Sequence, residues 1–291
     1  MITIGTRGSA LALVQARIVA DRLGGDVEVR VLRTAGDASG RPIRELGDGV
    51  FVTAIEDALR AGEVDVAVHS LKDLPTAEPA DLIIAAIPER EDPRDVLVTR
   101  ERSGLGGLRR DAVVGTSSPR RAAFLRALRP DAVAREIRGN VDTRLRKVRE
   151  GEYDAVIVAA AGLRRLGVAF DEATEALPLE LCPPAPGQGA LAVQIRAGDA
   201  KLATRLRTLD HRATRLAVSA ERALLRAMGA SCEIALGAFG RLEGDEIVLD
   251  AALATEFGVR RVSTRGDDPD EVARRAADAL GAAALGAAAH V

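Results

Sequence analysis

The chain has 291 residues, enough for two or three domains, and its 47% hydrophobic and 29% charged residues are typical of a soluble globular protein. Its formal net charge is only -2, so no overall field would draw it to nucleic acid or to an anionic membrane. Aromatic residues make up 2% and tryptophan does not occur, which argues against stacking platforms for single-stranded nucleic acid.

The N-terminal segment has the pattern of a short strand, and it lacks the charged and apolar regions of a signal peptide. No apolar run reaches the roughly 18 residues that suggest a membrane span. Two cysteines fifty residues apart and three dispersed histidines predict neither a disulfide framework nor a metal site. We therefore expect a cytoplasmic protein with no metal and with neither nucleic-acid nor membrane partners.

The first part of the chain alternates strand and helix patterns. The predicted elements are a strand at 2–5, a helix capped by Ser9 and ended by Gly24, a strand at 27–31, a helix at about 51–60 and a strand at 64–68. The first helix carries Leu11, Val14 and Ile18 on one face, which we expect to be its buried face. This βαβαβ order predicts a mainly parallel sheet.

The middle of the chain repeats the order of the first part. Strands are predicted at 112–115, 133–137 and 155–159, and helices at 117–128 and 141–149. Short sequences also recur between the two parts: the segment 5–9 resembles 115–118, and the segment 62–65 resembles 151–154. We predict two related α/β lobes with a ligand site in the cleft between them, at the carboxyl ends of the strands.

From His211 onward the pattern changes to a helix at 213–228, candidate strands at 234–239, 247–253 and 258–264, and a terminal helix that starts near Pro269. This order predicts a small α+β domain. The predicted domains are lobe 1 at 1–88 and 189–207, lobe 2 at 94–183, and the C-terminal domain at 211–291.

The segment 67–75 leaves a buried strand and brings His69, Ser70, Lys72 and Asp73 into close succession. Neighbouring lysine and aspartate on a loop are most often a solvated pair. The alternative is a carboxylate beside a cation that stabilises a positive intermediate or moves a proton. Ser70 and Lys72 do not have the Ser-x-x-Lys spacing of a serine acylase.

Arginines recur at helix starts and strand ends. They are Arg7, Arg120, Arg121, Arg138, Arg144 and Arg165. Each alone could be an ordinary surface arginine, but 115–121 also offers a helix N-terminus and the hydroxyls of Thr116, Ser117 and Ser118. Backbone dipole and forked donors together predict an anion site. The segment 138–144 repeats this arrangement at the next helix.

The two cysteines differ in their surroundings. Cys182 lies in a Leu-Cys-Pro-Pro segment and fits a buried small hydrophobe. Cys232 lies in a turn of small residues after the 213–228 helix, where a thiolate could anchor a covalent adduct.

Taken in order, several segments resemble the porphobilinogen deaminase (hydroxymethylbilane synthase) family. They are 6–9, 67–75, 90–95, 114–121, 138–144, 151–155, 161–163, 187–190 and 220–223, and Cys232 stands where the family's cofactor cysteine belongs. The resemblance covers the chain up to roughly its last fifty residues. No single segment is decisive, and the ordered set is specific.

The resemblance implies two periplasmic-binding-protein-like lobes with a central cleft and a small C-terminal α+β domain. It also implies a dipyrromethane cofactor in thioether linkage to Cys232. Four molecules of porphobilinogen would be condensed head to tail on this primer with loss of ammonia, and hydrolysis would release hydroxymethylbilane. The expected protein is a monomeric transferase of tetrapyrrole and haem biosynthesis.

The resemblance also assigns residues. Asp73 and Lys72 match the family's catalytic positions. The implied cofactor-binding residues are Cys232, Arg7, Ser9, Ser70, Lys72, Thr116, Ser117, Ser118, Arg120, Arg121, Arg138, Gly139 and Arg144. The implied substrate-binding residues are Arg7, Phe51, Arg138, Arg144, Arg165 and Gln188.

The chain departs from the family pattern in two places. The segment 44–51 has Asp48 where the family commonly has a lysine, which puts the role of this loop in carboxylate binding in doubt. Around Cys232, the segment 230–237 replaces the usual Gly-Gly-Cys and a later proline. The thiol is retained, so we expect the cofactor attachment to be retained as well.

Two other functions remain open from the residues alone. One is a two-lobed solute-binding protein that clamps an anion without chemistry, against which the missing signal peptide and the placement of Asp73 and Cys232 count. The other is a phosphoryl-group enzyme that uses the helix start at 115–118, against which the lack of a Walker-type motif counts.

Overall fold

The computed structural model describes residues 1–32, 52–171, 173–229 and 234–281. The chain divides into two compact units, Met1–Glu91 with Gly189–Leu216 and Asp92–Gln188 with Ala217–Val291. The predicted site residues Phe51 and Cys232 lie outside the described residues, as does Asp48, which stands where the family commonly has a lysine. The boundaries of the three predicted domains stay a prediction.

The helices and strands of the described residues follow in chain order. They are β1 (Ile2–Arg7), α1 (Ala10–Leu23), β2 (Val27–Leu32), α2 (Thr53–Arg60), β3 (Val66–Ser70), β4 (Leu82–Ala86), β5 (Asp95–Thr99), β6 (Val113–Gly115), α3 (Pro119–Leu128), β7 (Val133–Arg135), α4 (Val141–Arg149), β8 (Ala155–Ala159), α5 (Ala160–Arg165), β9 (Thr174–Ala176), β10 (Leu191–Arg196), α6 (Ala200–Leu206), α7 (Arg212–Ala227), β11 (Leu236–Glu243), β12 (Glu246–Thr255), β13 (Gly258–Gly266) and α8 (Pro269–Leu280). Single 3₁₀ turns lie at Leu71–Asp73 and Arg207–Leu209.

The sheet of the first unit has the strand order β2-β1-β3-β10-β4. β1 is parallel to β2 and β3, as predicted, whereas β10 is antiparallel to both β3 and β4. On one face of this sheet Ile4, Val66, Val68 and Val193 form a core that includes residues of α1 and α6. Neither β4 nor β10 was predicted from the sequence.

The buried face of α1 differs from the prediction. Leu11, Val14 and Ile18 are only partly buried, and the buried positions are Ala12, Gln15, Ala16 and Val19. Small alanines let a helix backbone approach a sheet closely, so the larger aliphatic residues fall at the flanks of the contact. Ser9 caps the helix as predicted, since its hydroxyl accepts a hydrogen bond from the Ala12 N–H at 3.3 Å.

The sheet of the second unit repeats the arrangement of the first, with the strand order β7-β6-β8-β5-β9. β6 is parallel to β7 and β8, and β5 is antiparallel to β8 and β9. β5 therefore takes the place in this sheet that β10 takes in the sheet of the first unit. In sequence, β5 lies at the start of the 92–188 segment and β10 follows directly after its end. The predicted relation between two α/β lobes is confirmed.

The C-terminal part of the second unit is an antiparallel sheet, β11-β12-β13, with α8 packed beside β12 and β13. Asp268 caps α8 by accepting from the Glu271 N–H at 2.8 Å, and Gly281 ends the helix at φ +87°. The predicted fold class, two α/β lobes with a small α+β region, is confirmed. None of the described helices is both long and apolar enough to cross a membrane.

Candidate active site

The end of β3 places two predicted catalytic residues at the surface. Leu71 and Leu74 are buried at either end of the 3₁₀ turn, and the Leu71 N–H donates to the Ala190 carbonyl at 3.0 Å. These anchors leave Lys72 and Asp73 exposed between them. The burial of two leucines, rather than a special loop sequence, therefore presents the lysine and the carboxylate to solvent.

β1 and β3 are parallel neighbours, so their carboxyl ends lie at the same edge of the sheet. A pocket open to solvent lies at this edge. Its lining residues are Arg7, Ser9, Leu11, Ala12, Gln15, Val52, Val68, His69, Ser70 and Asp73. The structure thus brings together four predicted site residues, Arg7, Ser9, Ser70 and Asp73.

Two polar residues of this pocket were not among the predicted binding residues. Gln15 is buried on α1, and its Nε2 donates to the Ser70 hydroxyl at 2.9 Å. His69 is 6% exposed, and burial lowers its pKa to about 4; a side-chain hydrogen bond with Gln194 opposes this effect, and the positive charge of Arg7 adds to it. The sequence could have indicated Gln15, because the cap at Ser9 fixes which positions of α1 share one face.

In the second unit, the junction between β6 and α3 has the predicted form. Ser118 caps α3, its hydroxyl accepting from the Arg121 N–H at 3.4 Å, and Pro119 occupies the first turn. The Thr116 hydroxyl accepts from the Ser118 N–H at 3.1 Å, and the exposed Ser117 donates to the Ile137 carbonyl. Thr116, Ser117 and Ser118 are therefore gathered at one helix N-terminus.

The side chains of Arg120 and Arg121 meet the buried carboxylate of Asp95, which is 0% exposed at the start of β5. Arg120 donates from Nη2 to Oδ2 at 2.7 Å, and Arg121 donates from Nη2 to Oδ1 at 2.7 Å and from Nε at 3.0 Å. Burial alone would raise the Asp95 pKa, but the two guanidiniums outweigh it and hold that pKa well below its ordinary value. The sequence did not indicate this pairing.

Further contacts fix the two arginines. Arg120 donates to the Pro183 carbonyl at 2.6 Å, and Arg121 donates to the Ile157 carbonyl at 2.9 Å. Gln188, predicted to bind substrate, is 1% exposed and donates to Asp95 Oδ1 at 2.9 Å. Arg120, Arg121 and Gln188 are therefore gathered around one carboxylate within the second unit.

The segment at the start of α4 supplies further cations. Arg144 is partly buried and donates to the Gly139 carbonyl at 2.8 Å, while the exposed Arg138 donates to Glu136 at 3.1 Å. Gly139 has φ +105°, and a Cβ there would lie 2.6 Å from Thr143, so the turn requires glycine. Burial lowers the Arg144 pKa, and the charge of Arg121 lowers it further. The partly buried Arg165 ends α5.

Cys182 has the inert character predicted for it. Its side chain is 1% exposed, and burial, together with the charge of Asp95, raises its thiol pKa to about 11. Its sulfur lies 3.7 Å from Asp95 Oδ2 and 3.9 Å from Arg120 Nη1. Among the described residues, no three His, Cys, Asp or Glu side chains are grouped so as to hold a metal ion.

Comparisons with solved structures give distant similarities. The second substrate-binding domain of an amino acid ABC transporter from Streptococcus pneumoniae has a TM-score of 0.45 at 13% identity, covering 78% of this chain and 94% of that one. A periplasmic binding protein with high arginine specificity from Salmonella typhimurium has a TM-score of 0.41 at 12% identity, covering 72% and 90%.

Comparisons with sequences are much closer. The family model "Porphobilinogen deaminase, dipyromethane cofactor binding domain" matches residues 2–204, and "Porphobilinogen deaminase, C-terminal domain" matches residues 215–282. Porphobilinogen deaminase of Roseiflexus castenholzii is 51% identical over 255 residues, 85% of this chain and 84% of its own length. That of Mycobacterium ulcerans is 53% identical over 246 residues, 83% and 78% of the two chains. The chain belongs to the porphobilinogen deaminase family.

Proposed function

We propose that this chain is a hydroxymethylbilane synthase, a transferase that condenses four molecules of porphobilinogen head to tail. In each coupling, the aminomethyl carbon of porphobilinogen loses ammonia and bonds to the free α-carbon of the terminal pyrrole, which gives up a proton. Water then supplies the hydroxyl group that releases hydroxymethylbilane. Membership of the family, through matches to both of its domains, supports this reaction.

The proposed cofactor is dipyrromethane in thioether linkage to Cys232, and when bound it supplies the pyrrole α-carbon for the first coupling. This group carries acetate and propionate side chains, so it needs a cationic surrounding. The described residues fit that need, because Arg120, Arg121 and Arg144 outnumber the carboxylate of Asp95. The Ser118 hydroxyl, which accepts from the Arg121 N–H, can still donate its own proton beside this helix N-terminus.

The single observation that carries the proposal is that two guanidiniums, those of Arg120 and Arg121, share the one carboxylate of Asp95, with Arg144 near Arg121. Burial lowers the pKa of Arg144, and the charge of Arg121 lowers it further, which is a repulsion between like charges. An anionic ligand would relieve the repulsion. Charge-assisted hydrogen bonds contribute roughly 1.5–3 kcal/mol each, so a ligand with several carboxylates would be held firmly.

We assign the carboxylate of Asp73 to the reacting ring. It would accept hydrogen bonds from pyrrole N–H groups and stabilise the positive charge that develops as ammonia leaves. Arg7, in the same pocket, would bind a substrate carboxylate, and the adjacent Lys72 would offset the charge of the growing chain. A primer tethered to the enzyme would also remove much of the entropic cost of each encounter.

The mass of the intact purified protein tests this proposal. We expect an excess over the sequence mass that corresponds to two linked pyrrole units, and we expect its loss in Cys232→Ser. Cys182→Ser is the matched control, because the buried Cys182 thiol should be unable to carry the adduct and the excess should remain.

A bare polypeptide that never gains the adduct from porphobilinogen would refute the proposal and favour an anion-binding protein without chemistry. The proposal extends to a monomeric enzyme of the cytoplasm, with porphobilinogen as substrate and hydroxymethylbilane as product. The sedimentation of the cofactor-loaded protein at micromolar concentration would test whether it is a monomer.

A further inference from the structure

Glu221 of α7 carries a buried carboxylate that the proposed reaction does not use. The residue is 0% exposed. Its Oε2 accepts a hydrogen bond from the Gly187 N–H at 2.6 Å, and its Oε1 accepts one from the Gly240 N–H at 2.7 Å. A buried carboxylate is costly unless its oxygens are hydrogen-bonded, so these contacts fasten three parts of the second unit together: α7, the segment 183–188 and β11.

The segment 183–188 joins this carboxylate to the arginines around Asp95. At one end of the segment, Gln188 donates to Asp95 Oδ1 at 2.9 Å. At the other end, the Pro183 carbonyl accepts from Arg120 at 2.6 Å. A shift of this segment would therefore move the groups that hold both the carboxylate and the guanidinium.

α7 and β11 meet at backbone distance beside Glu221. A Cβ on Gly240 would lie 2.6 Å from the Ala217 carbonyl oxygen, so the strand needs glycine here to approach the helix. The Ala238 N–H of β11 also donates to the Pro184 carbonyl at 2.8 Å. Glu221 therefore lies where the helix, the strand and the arginine-holding segment come together.

The same two elements flank the predicted cofactor cysteine in sequence. α7 ends at Ala227, β11 begins at Leu236, and Cys232 lies between them. Glu221 is near the end of the helix, and Gly240 is near the start of the strand. Their hydrogen bond thus ties together the two supports from which the cysteine-bearing stretch of chain extends.

We propose that Glu221 is a positioning residue for cofactor attachment, which holds the supports of Cys232 in a fixed relation to Arg120 and Arg121. This inference rests on the proposed function. Attachment bonds the cysteine sulfur to the aminomethyl carbon of a porphobilinogen, which loses ammonia, while the thiol gives up its proton. The arginines would bind the carboxylates of that pyrrole, so the thiol reacts fastest when its supports and the arginines keep one arrangement.

The rate at which the protein gains the adduct tests the proposal. Full-length chains are produced without porphobilinogen, mixed with it and followed by intact mass, and circular dichroism shows whether each is folded. Glu221→Gln replaces one accepting oxygen by an amide group that faces an N–H. It should slow the gain of the adduct about 10-fold or more, the factor that corresponds to the loss of one hydrogen bond to a charged group.

Asp154→Asn is the matched control for stability. Asp154 also accepts from a backbone N–H of the same unit, that of Val113 at 2.7 Å, but it lies at the amino ends of β6 and β8. This control should lower Tm and leave the rate of attachment unchanged. Once loaded, Glu221→Gln should have a lower kcat with KM near that of wild type, because Arg7 and Asp73 lie in the first unit.

A folded Glu221→Gln variant that gains the adduct as fast as wild type would overturn the inference, and so would equal slowing in Asp154→Asn. If Glu221→Gln does not fold, Glu221→Asp takes its place, because it keeps the charge but is one methylene too short to reach both N–H groups. Either contrary result, with a wild-type chain that is loaded and active, leaves the proposed function intact. A wild-type chain that never gains the adduct would refute the proposed function itself.

Discussion

Replacement of Asp95 by asparagine tests how much one buried carboxylate holds the second unit together. Asp95 is 0% exposed and receives hydrogen bonds from Arg120, Arg121 and Gln188. The substitution keeps the shape of the side chain but removes its charge. The new amide nitrogen would also point a donor at a guanidinium that needs an acceptor.

The expected cost is about 3–5 kcal/mol of unfolding free energy, because breaking a buried ion pair leaves uncompensated charge. Native domains are stable by only about 5–15 kcal/mol in total. For a unit of about 150–250 residues, each kcal/mol shifts Tm by about 2–4 °C, so Asp95→Asn should lower Tm by about 6–20 °C.

Circular dichroism is the suitable assay, since the chain has no tryptophan for fluorescence. Glu150→Gln is the control in the same unit, because its partner Arg146 lies at 2.6 Å in an exposed pair of α4. Such pairs contribute about 0.3–0.5 kcal/mol. An Asp95→Asn variant that loses less than about 1 kcal/mol, like the control, would refute the reasoning.

The same pair predicts a dependence on pH. The Asp95 pKa is lower in the folded protein than its ordinary value of 3.8, so its contribution to stability is fully present above that value. It is lost only as the pH falls through the lower folded pKa. The stability difference between wild type and Asp95→Asn should therefore be constant from neutral pH to about pH 5 and should shrink below about pH 4. A difference that disappears between pH 7 and 5 would contradict this assignment.

Two further predictions concern the chemistry. Asp73→Asn should leave the free energy of unfolding within about 0.5 kcal/mol of wild type, because the side chain is exposed, while bilane formation falls by orders of magnitude. The control is Asp57→Asn, another exposed aspartate of the same unit. Near-normal turnover of Asp73→Asn would remove Asp73 from its role. In native Cys232→Ser, a thiol reagent at pH 8 should find Cys182 unreactive until the protein is denatured, because burial raises its pKa to about 11. Rapid labelling of the native variant would contradict the buried position of Cys182.

The sequence by itself determined the elements that local patterns specify. The helix at 141–149 and the strand at 155–159 have the predicted bounds, and the Ser9 cap is where the sequence places it. The ordered motifs also identified the family, because they are spread along the chain and each keeps its residue types. Such features depend on residues close to one another in sequence, which a pattern contains in full.

Only the tertiary structure decided which distant residues meet. The antiparallel strands β5 and β10 are separated in sequence from the strands they pair with, so no local period indicates them. The pairing of Asp95 with Arg120 and Arg121 spans 25 and 26 residues, and it buries two arginines that the sequence had indicated only as cofactor-binding residues. Burial and charge pairing depend on all the neighbours of a side chain, and those neighbours are fixed only when the sheet has assembled.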